Sequence, residues 1–506
     1  MPDAKNMLLA ASTIQWCLRH GVREVVLCAG ARNLALVSTC VEVAGLRCWH
    51  FPEERSAGFF ALGRIRAGAG PVAVVVTSGT AVAELLPATI EAYYQGLPLL
   101  LVTADRPAAS RGTGAPQSIV QPGIFGSHAI MLGDLDASSP VARGAWEQLG
   151  PGHLNVCFDE PVLDGEPMPC TCPACPCPPD EPLPRPQAWD GFGTGGRMLV
   201  MVGALAADER MPVIAFLARL QAPVWLEATS NLWGVNSLRP LWQPRARAAW
   251  AARPTHVLRL GGVPCDRLWR DLESMPDVRV RSVSRHGWSG LARGNENFRA
   301  DLAGLDAWMP QPHPPWLPAA EDPRPPVSQP DSEKQWVAAL AAAIPAGATV
   351  FLGNSLPIRE WQVAAPWRTG LDVHANRGAN GIDGELSTFL GLAASAPGEA
   401  WGVFGDLTTL YDLAGPWILA QLPSRPIRLV VINNGGGAIF AKLPALATAG
   451  SRVRDIALNR HQLDFSHLAN FWQLEYRKAM VAADLSGLPD CPVVIEIVPG
   501  DRLAAG

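Results

Sequence analysis

GDLTTLYDL, residues 405–413, and RLVVINNGGGAIF, residues 428–440, are the two strings whose joint reading decides the fold. Apolar residues lead into both: WGVF (401–404) precedes Gly405-Asp406, and LVVI (429–432) precedes Asn433-Asn434. Short continuous apolar runs are what strands buried on both faces look like. The 26 residues from Leu407 to Ile432 separate Asp406 from the Asn pair and hold one crossover helix. The two runs therefore read as parallel strands of an α/β sheet, with Asp406 and Asn434 meeting at its carboxyl pole. A carboxylate, an amide oxygen and a carbonyl from Gly435-Gly436-Gly437 suit a hard, octahedral cation that keeps room for phosphate. Glycines also let backbone approach an anion closely. Asn-Asn-Gly-Gly is good turn chemistry too, and it is the paired Asp that favours a metal.

Working outward, the same pattern recurs. EVVLCAG (24–30), VAVVVTSGT (72–80), LPLLLVTADRP (97–107) and HLNVCF (153–158) precede it, followed by RMLVMVGAL (197–205), APVWLEA (222–228) and THVLRLGG (255–262). TVFLGNS (349–355) and PVVIEIV (492–498) complete the set. With helix-length stretches between them, these runs predict three doubly wound, parallel-sheet α/β domains. Pro-rich stretches at 164–187 and 310–330 mark the boundaries, and no short-period repeat is visible.

A chain of 506 residues is too long for one ordinary core. Its formal net charge of -5, without a long basic run, points to neither nucleic acid nor an anionic membrane surface. No apolar run reaches transmembrane length and no cleavable leader is apparent at the N-terminus, so the cytoplasm is the expected location. Four of the 11 cysteines, Cys170, Cys172, Cys175 and Cys177, crowd into PCTCPACPCPP. That spacing departs from the paired knuckles of structural zinc sites, and the prolines favour an extended linker.

Asp406, the 26-residue interval and the Asn pair resemble the thiamine diphosphate motif of the acetolactate synthase and pyruvate decarboxylase superfamily. The resemblance implies that Asp406, Asn434 and the Gly436 carbonyl ligate Mg²⁺, or Mn²⁺, which anchors the cofactor diphosphate. It also implies a pyrimidine-binding domain at 1–168, a Pro/Cys-rich linker at 169–187, a central domain at 188–310, a second linker at 311–330 and a diphosphate-binding domain at 331–506. In that superfamily the cofactor lies between the first domain of one subunit and the third of its partner, so a homodimer is the minimum unit and a tetramer is compatible.

Thiamine chemistry needs a carboxyl group facing the aminopyrimidine, working best where apolar surroundings raise its pKa. In HFPEERSAGFFALG (50–63) the resemblance selects Glu54 over Glu53 as the catalytic, cofactor-contacting acid, although an acid at a helix N-terminus is ordinary chemistry. GARNLAL (30–36), QSIVQPGIF (117–125), FLGNSLPIR (351–359) and ANRGANGIDGELST (375–388) are similar to the menaquinone-biosynthesis branch of the superfamily, as is Leu407 where other branches carry Gly. That branch decarboxylates 2-oxoglutarate and adds the succinyl carbanion equivalent to isochorismate. Both substrates bear carboxylates, which planar guanidinium groups bind bidentately. Arg32, Arg106, Arg359 and Arg377 lie at or beyond strand ends, and with Gln117, Ser355 and Arg267 they are the substrate-binding candidates. Ile382 matches the residue that bends the cofactor, Thr408 and Gly437 match diphosphate contacts, and Ile439, Phe440 and Leu443 match apolar residues lining the site, although ordinary core explains those three equally well.

Departures fall on the acceptor side. Ala31 and Asn33 replace the serines of the usual PGSRS loop, Pro116 stands where an Asn precedes Gln117, and Asp266 replaces the Lys of a Lys-Arg pair completed by Arg267. Three other readings stay open: a thiamine-dependent 2-oxo acid decarboxylase or carboligase with another acceptor, a non-catalytic protein on the same fold, and a redox or metal module built on the cysteines.

Overall fold

A computed structural model describes residues 4–140, 142, 146–174, 183–184, 186, 189–243, 251–314, 316–318 and 327–503. Cys175, Cys177 and much of both Pro-rich stretches lie outside these residues.

The apolar runs become strands of three sheets, and every pairing between named strands is parallel. The first sheet comprises β1 (Glu24–Leu27), β2 (Arg47–His50), β3 (Val72–Val76), β4 (Leu99–Asp105), β5 (Ile130–Leu135) and β6 (Gly152–Cys157), ordered β2-β1-β3-β4-β6-β5. The second comprises β7 (Met198–Val202), β8 (Val224–Leu226), β9 (His256–Leu260), β10 (Arg279–Ser284) and β11 (Glu296–Arg299), ordered β11-β10-β9-β7-β8. The third comprises β12 (Thr349–Leu352), β13 (Asp372–His374), β14 (Ala400–Gly405), β15 (Ile427–Ile432), β16 (Glu475–Ala479) and β17 (Val493–Ile497), ordered β13-β12-β14-β15-β17-β16. Counted within each sheet, the first and third share the order 2-1-3-4-6-5. The central strands β3, β4, β6, β7 and β15 are buried along their whole length, which is why β3 and β7 are continuously apolar and the others carry apolar residues on both faces rather than alternating with solvent-facing ones.

Contacts divide the chain into two compact units. One holds Met1–Pro182, Gly378–Ala396 and Tyr411–Pro423, and the other holds Leu183–Arg377, Pro397–Leu410 and Ser424–Gly506. In the first unit the helix Glu54–Arg64 packs on the helix Glu385–Ala393 through Gly63 and Gly391, where a Cβ on either residue would overlap the opposite backbone. In the second unit the order of the third sheet reverses between β12 and β14, and crevices for ligands form at the carboxyl ends of such neighbours. Asn354-Ser355 follow β12, Asp406 follows β14 and Asn433-Asn434 follow β15, so all converge on that pole. Among the described residues no helix is long and apolar enough to cross a membrane.

Candidate active site

Asp406 opens the helix Asp406–Tyr411 and is 2% exposed. Its Oδ2 accepts from the N–H groups of Gly435 (2.7 Å) and Gly436 (3.0 Å), and its Oδ1 accepts from Leu407 N–H at 2.6 Å. Gly436 has φ +133°, and a Cβ there would overlap Leu458 O, so the loop that wraps the carboxylate requires glycine. Burial raises the Asp406 carboxyl above its usual range, opposed by His461 and the three N–H groups. His461 Nδ1 accepts from Leu463 N–H at 3.2 Å, and its Nε2 lies 3.3 Å from Asp406 Oδ2.

The two asparagines separate by their partners. Asn433, with no exposure, donates to Leu463 O (2.8 Å) and Glu496 Oε1 (2.6 Å), which ties the loop to β17. Asn434 donates Nδ2–H to Glu333 Oε2 at 2.8 Å, and its Oδ1 is buried with no hydrogen-bond partner among the described residues. A buried amide oxygen left unpaired costs about 1–3 kcal/mol, so its place beside a buried carboxylate fits a cation. The Gly436 carbonyl accepts from Ala438 N–H and keeps a second lone pair. Thr408 is buried, whereas the Gly437 N–H expected to face a diphosphate is donated to Leu458 O at 2.6 Å. Phe440 and Leu443 are 42% and 48% exposed, which removes the ordinary-core reading for both, and Ile439 is half-buried.

Two arginine candidates of the second unit bond the Asn354-Ser355 turn, Arg359 through Ser355 and Arg377 through Asn354, and the Ser355 φ of +71° sets the start of the helix Leu356–Ala364. Arg377 donates through Nη1 to Asn354 Oδ1 (2.7 Å) and through Nη2 to Glu227 Oε1 (3.1 Å). Glu227, following β8, is 4% exposed; burial raises its carboxyl and Arg377 counters that. Among the described residues Arg359 bonds its own first turn, through Ser355 O at 2.7 Å, and its guanidinium is lowered by burial and then by the charge of Arg270. Arg267 departs from the pocket expectation: its side chain is 78% exposed and pairs with Asp271 one turn on at 3.5 Å. Asp266 is the N-cap of that short helix, accepting from Leu268 N–H at 2.9 Å, so its acidic character serves the backbone.

In the first unit Glu53 and Glu54 take different parts. Glu53 is the N-cap of the helix Glu54–Arg64, with Oε1 and Oε2 accepting from Arg55 N–H (3.2 Å) and Ser56 N–H (2.8 Å). Glu54 is half-buried, and burial raises its carboxyl, with Glu53 and Glu84 adding to the rise. Arg32 is buried against Phe158 O (3.0 Å) and Glu160 Oε1 (2.6 Å), both just beyond β6, so two of its donors are used within its own chain. Asn33 closes the 30–33 turn by accepting from Gly30 N–H and donating to Cys28 O, a structural use for the residue that replaces a hydroxyl. Arg106 donates to Pro116 O at 2.8 Å, Gln117 is exposed with φ +54°, and Ile382 is half-buried in the Gly378–Ala396 segment. Cys170 donates to Ala11 O at 3.4 Å and packs with Cys172 on the core of the first sheet.

Glu227, Asn354, Glu333 and His461 were not singled out from the sequence. An acid directly after an apolar strand, the same sign that exposes Asp406, was available for Glu227; Glu333 reads only as a first-turn helix acid.

Residues 7–124 match the family model described as thiamine pyrophosphate enzyme, N-terminal TPP binding domain. Together with the three parallel sheets, this places the chain among the thiamine diphosphate-dependent enzymes. A Bdellovibrio bacteriovorus protein is 40% identical over 499 residues, covering 94% of this chain and 92% of its own length. Relatives from Akkermansia muciniphila (38% over 523 residues, 96% and 95% covered) and Myxococcus xanthus (34% over 528, 92% and 88%) align equally broadly. All three are named 2-succinyl-5-enolpyruvyl-6-hydroxy-3-cyclohexene-1-carboxylate synthase, and the chain belongs to this family.

Proposed function

We propose that the protein decarboxylates 2-oxoglutarate and joins the succinyl unit to isochorismate by conjugate addition, releasing CO₂ and forming 2-succinyl-5-enolpyruvyl-6-hydroxy-3-cyclohexene-1-carboxylate for menaquinone biosynthesis. The observation that carries this reading is the third-sheet pole, where the cradled Asp406 carboxylate and the unpaired Asn434 Oδ1 stand on strand ends beside Ser355, Arg359 and Arg377.

Bound thiamine diphosphate supplies the nucleophilic carbon and the electron sink for loss of CO₂. Asp406, Asn434 and the Gly436 carbonyl hold Mg²⁺ or Mn²⁺, with Thr408 and Gly437 lining the diphosphate. Glu54, whose carboxyl burial raises, would exchange a proton with the pyrimidine ring, while Ile382, Ile439, Phe440 and Leu443 shape the apolar part of the cavity. Arg377, braced by Asn354 and Glu227, and Arg359 receive substrate carboxylates. Arg32, Arg106, Gln117 and Arg267 are secondary contributors on this reading. The working unit is a homodimer or tetramer in the cytoplasm, each site taking its pyrimidine-facing acid from a partner subunit, and the domain limits follow the 1–168, 188–310 and 331–506 division.

The test supplies protein with Mg²⁺, thiamine diphosphate, 2-oxoglutarate and isochorismate, and follows CO₂ and isochorismate together. Equal release and consumption is expected. CO₂ released without loss of isochorismate would instead mark a carboligase or decarboxylase with another acceptor, and no CO₂ at all would remove the reading.

A further inference from the structure

We infer that Glu333 is a positioning residue for the metal site: by taking the N–H of Asn434 it fixes which end of that amide faces the cation. The inference rests on the proposed function, since it needs a cation at Asp406 and Asn434.

An asparagine side chain has a donor end and an acceptor end of nearly equal shape, and only the oxygen ligates a hard cation. Which end faces the metal is therefore decided by what the other end bonds. Asn434 Nδ2 donates to Glu333 Oε2 at 2.8 Å across 101 residues of sequence, and Asn434 Oδ1 is left buried and unpartnered among the described residues. In this pairing the Glu333 carboxyl oxygen accepts and the amide nitrogen donates, which holds the nitrogen on the side of Glu333 and turns Oδ1 away from it.

Glu333 is itself held in place. It is 4% exposed, at the first turn of the helix Glu333–Ala343. Ser332 and Gln335 form a capping box around that turn, and Glu333 N–H donates to Asp501 Oδ1 at 2.9 Å. The backbone of Asn434 is fixed separately, its carbonyl accepting from Leu503 N–H at 2.9 Å. With both backbones anchored, the side-chain rotamer is the remaining freedom, and Glu333 removes it. Hydrogen-bond partners of metal ligands commonly set ligand orientation, and losing one weakens metal binding about 10–100-fold.

Glu333→Gln is the discriminating change, because a carboxamide offers either a donor or an acceptor to Asn434 and no longer selects one orientation. Metal affinity is read by titrating Mg²⁺ into protein with saturating thiamine diphosphate, following tryptophan fluorescence, and by counting free Mn²⁺ by electron paramagnetic resonance. The expected result is an apparent dissociation constant raised about 10–100-fold. The melting temperature of the metal-free protein should stay unchanged, and kcat should recover at high Mg²⁺. Placed on Asn434→Ala, the same change should weaken metal binding no further, since Glu333 acts through that side chain. A dissociation constant within about threefold of the parent, a kcat deficit that Mg²⁺ does not restore, or full additivity with Asn434→Ala each overturns the inference. Failure of the unaltered protein to bind Mg²⁺ would count against the proposed function instead, so the two failures are distinguishable.

Discussion

The first and third sheets share one strand order, yet their carboxyl poles are built to opposite ends. At the end of β4, Asp105 is wholly buried and its oxygens are filled: Oδ1 by Arg106 N–H (2.8 Å), Oδ2 by Arg111 Nη2 (3.0 Å) and Asn155 Nδ2 (3.1 Å). Arg111 also pairs with Asp134 at 2.7 Å, and Gln121 ties the same Asn155 to Gly79 after β3. That network is closed and braces the loop carrying Arg106 and Gln117. At the third-sheet pole Asp406 meets backbone N–H groups and His461 and, among the described residues, no guanidinium, and Asn434 Oδ1 has no hydrogen-bond partner among them. Two copies of one topology thus differ in whether polar atoms are spent inside the chain or left for a ligand, which is where function separates from fold.

The sharpest test of that contrast is on the first unit, whose proposed contribution to chemistry is a helix-borne acid, Glu54, rather than a strand end. Glu54→Gln should lower CO₂ release about 10²–10⁴-fold, the usual worth of a positioned proton-transfer group, while thiamine diphosphate affinity by calorimetry stays close to the parent. Glu53→Gln should instead lower the melting temperature, since it weakens an N-cap. Equal loss of activity in both variants would erase the distinction between the two acids.

Next in size, Asp105→Ala should cost about 3–5 kcal/mol in urea unfolding, because it removes at once the buried acceptor of Arg106 N–H, Asn155 Nδ2 and Arg111, each loss worth about 1–3 kcal/mol, yet leave the Mg²⁺ titration in place. Asp406→Ala should do the reverse. A weakened metal response in the Asp105 variant would show that the two poles are not functionally separate.

How much of this was legible follows from how far apart the interacting residues lie. Strands β3, β4, β14 and β15 were readable because burial on both faces writes itself as an unbroken apolar run. Asp406 and Asn434 were readable because each directly follows such a run. The Arg377–Glu227 and Asn434–Glu333 pairs span 150 and 101 residues, and nothing local marks them. Asp266 looked like a reversed charge in a substrate pocket and is a helix cap, while Arg32 looked free and is held by Phe158 and Glu160. In both cases residue type was visible in the sequence and the local hydrogen-bond partner was not. The Gly378–Ala396 and Tyr411–Pro423 segments join the first unit although they sit in sequence among third-sheet strands, an interleaving that continuous stretches of composition do not display.

The smallest effect concerns Asp412, which shares its string with Asp406 but behaves like Asp105. It lies in the first unit, fully enclosed, with Oδ2 accepting from Ser387 N–H (2.7 Å) and Oδ1 from the hydroxyls of Ser56 (2.9 Å) and Ser387 (3.0 Å). Burial pushes its carboxyl up to about 6 from an ordinary 3.8, against those hydrogen bonds and the charge of Arg55. The folded chain therefore holds this proton more tightly than the unfolded chain. Its contribution to stability is greatest below about pH 4, declines as pH rises towards 6, and is constant above that. The span is about 3 kcal/mol at most. Unfolding free energies of the parent and of Asp412→Asn, measured by urea between pH 4 and 7, should differ by an amount that changes across this window, the parent losing stability relative to the variant as pH rises. Curves that stay parallel would mean that enclosure by Ser56 and Ser387 does not raise the Asp412 carboxyl, and would overturn this reading.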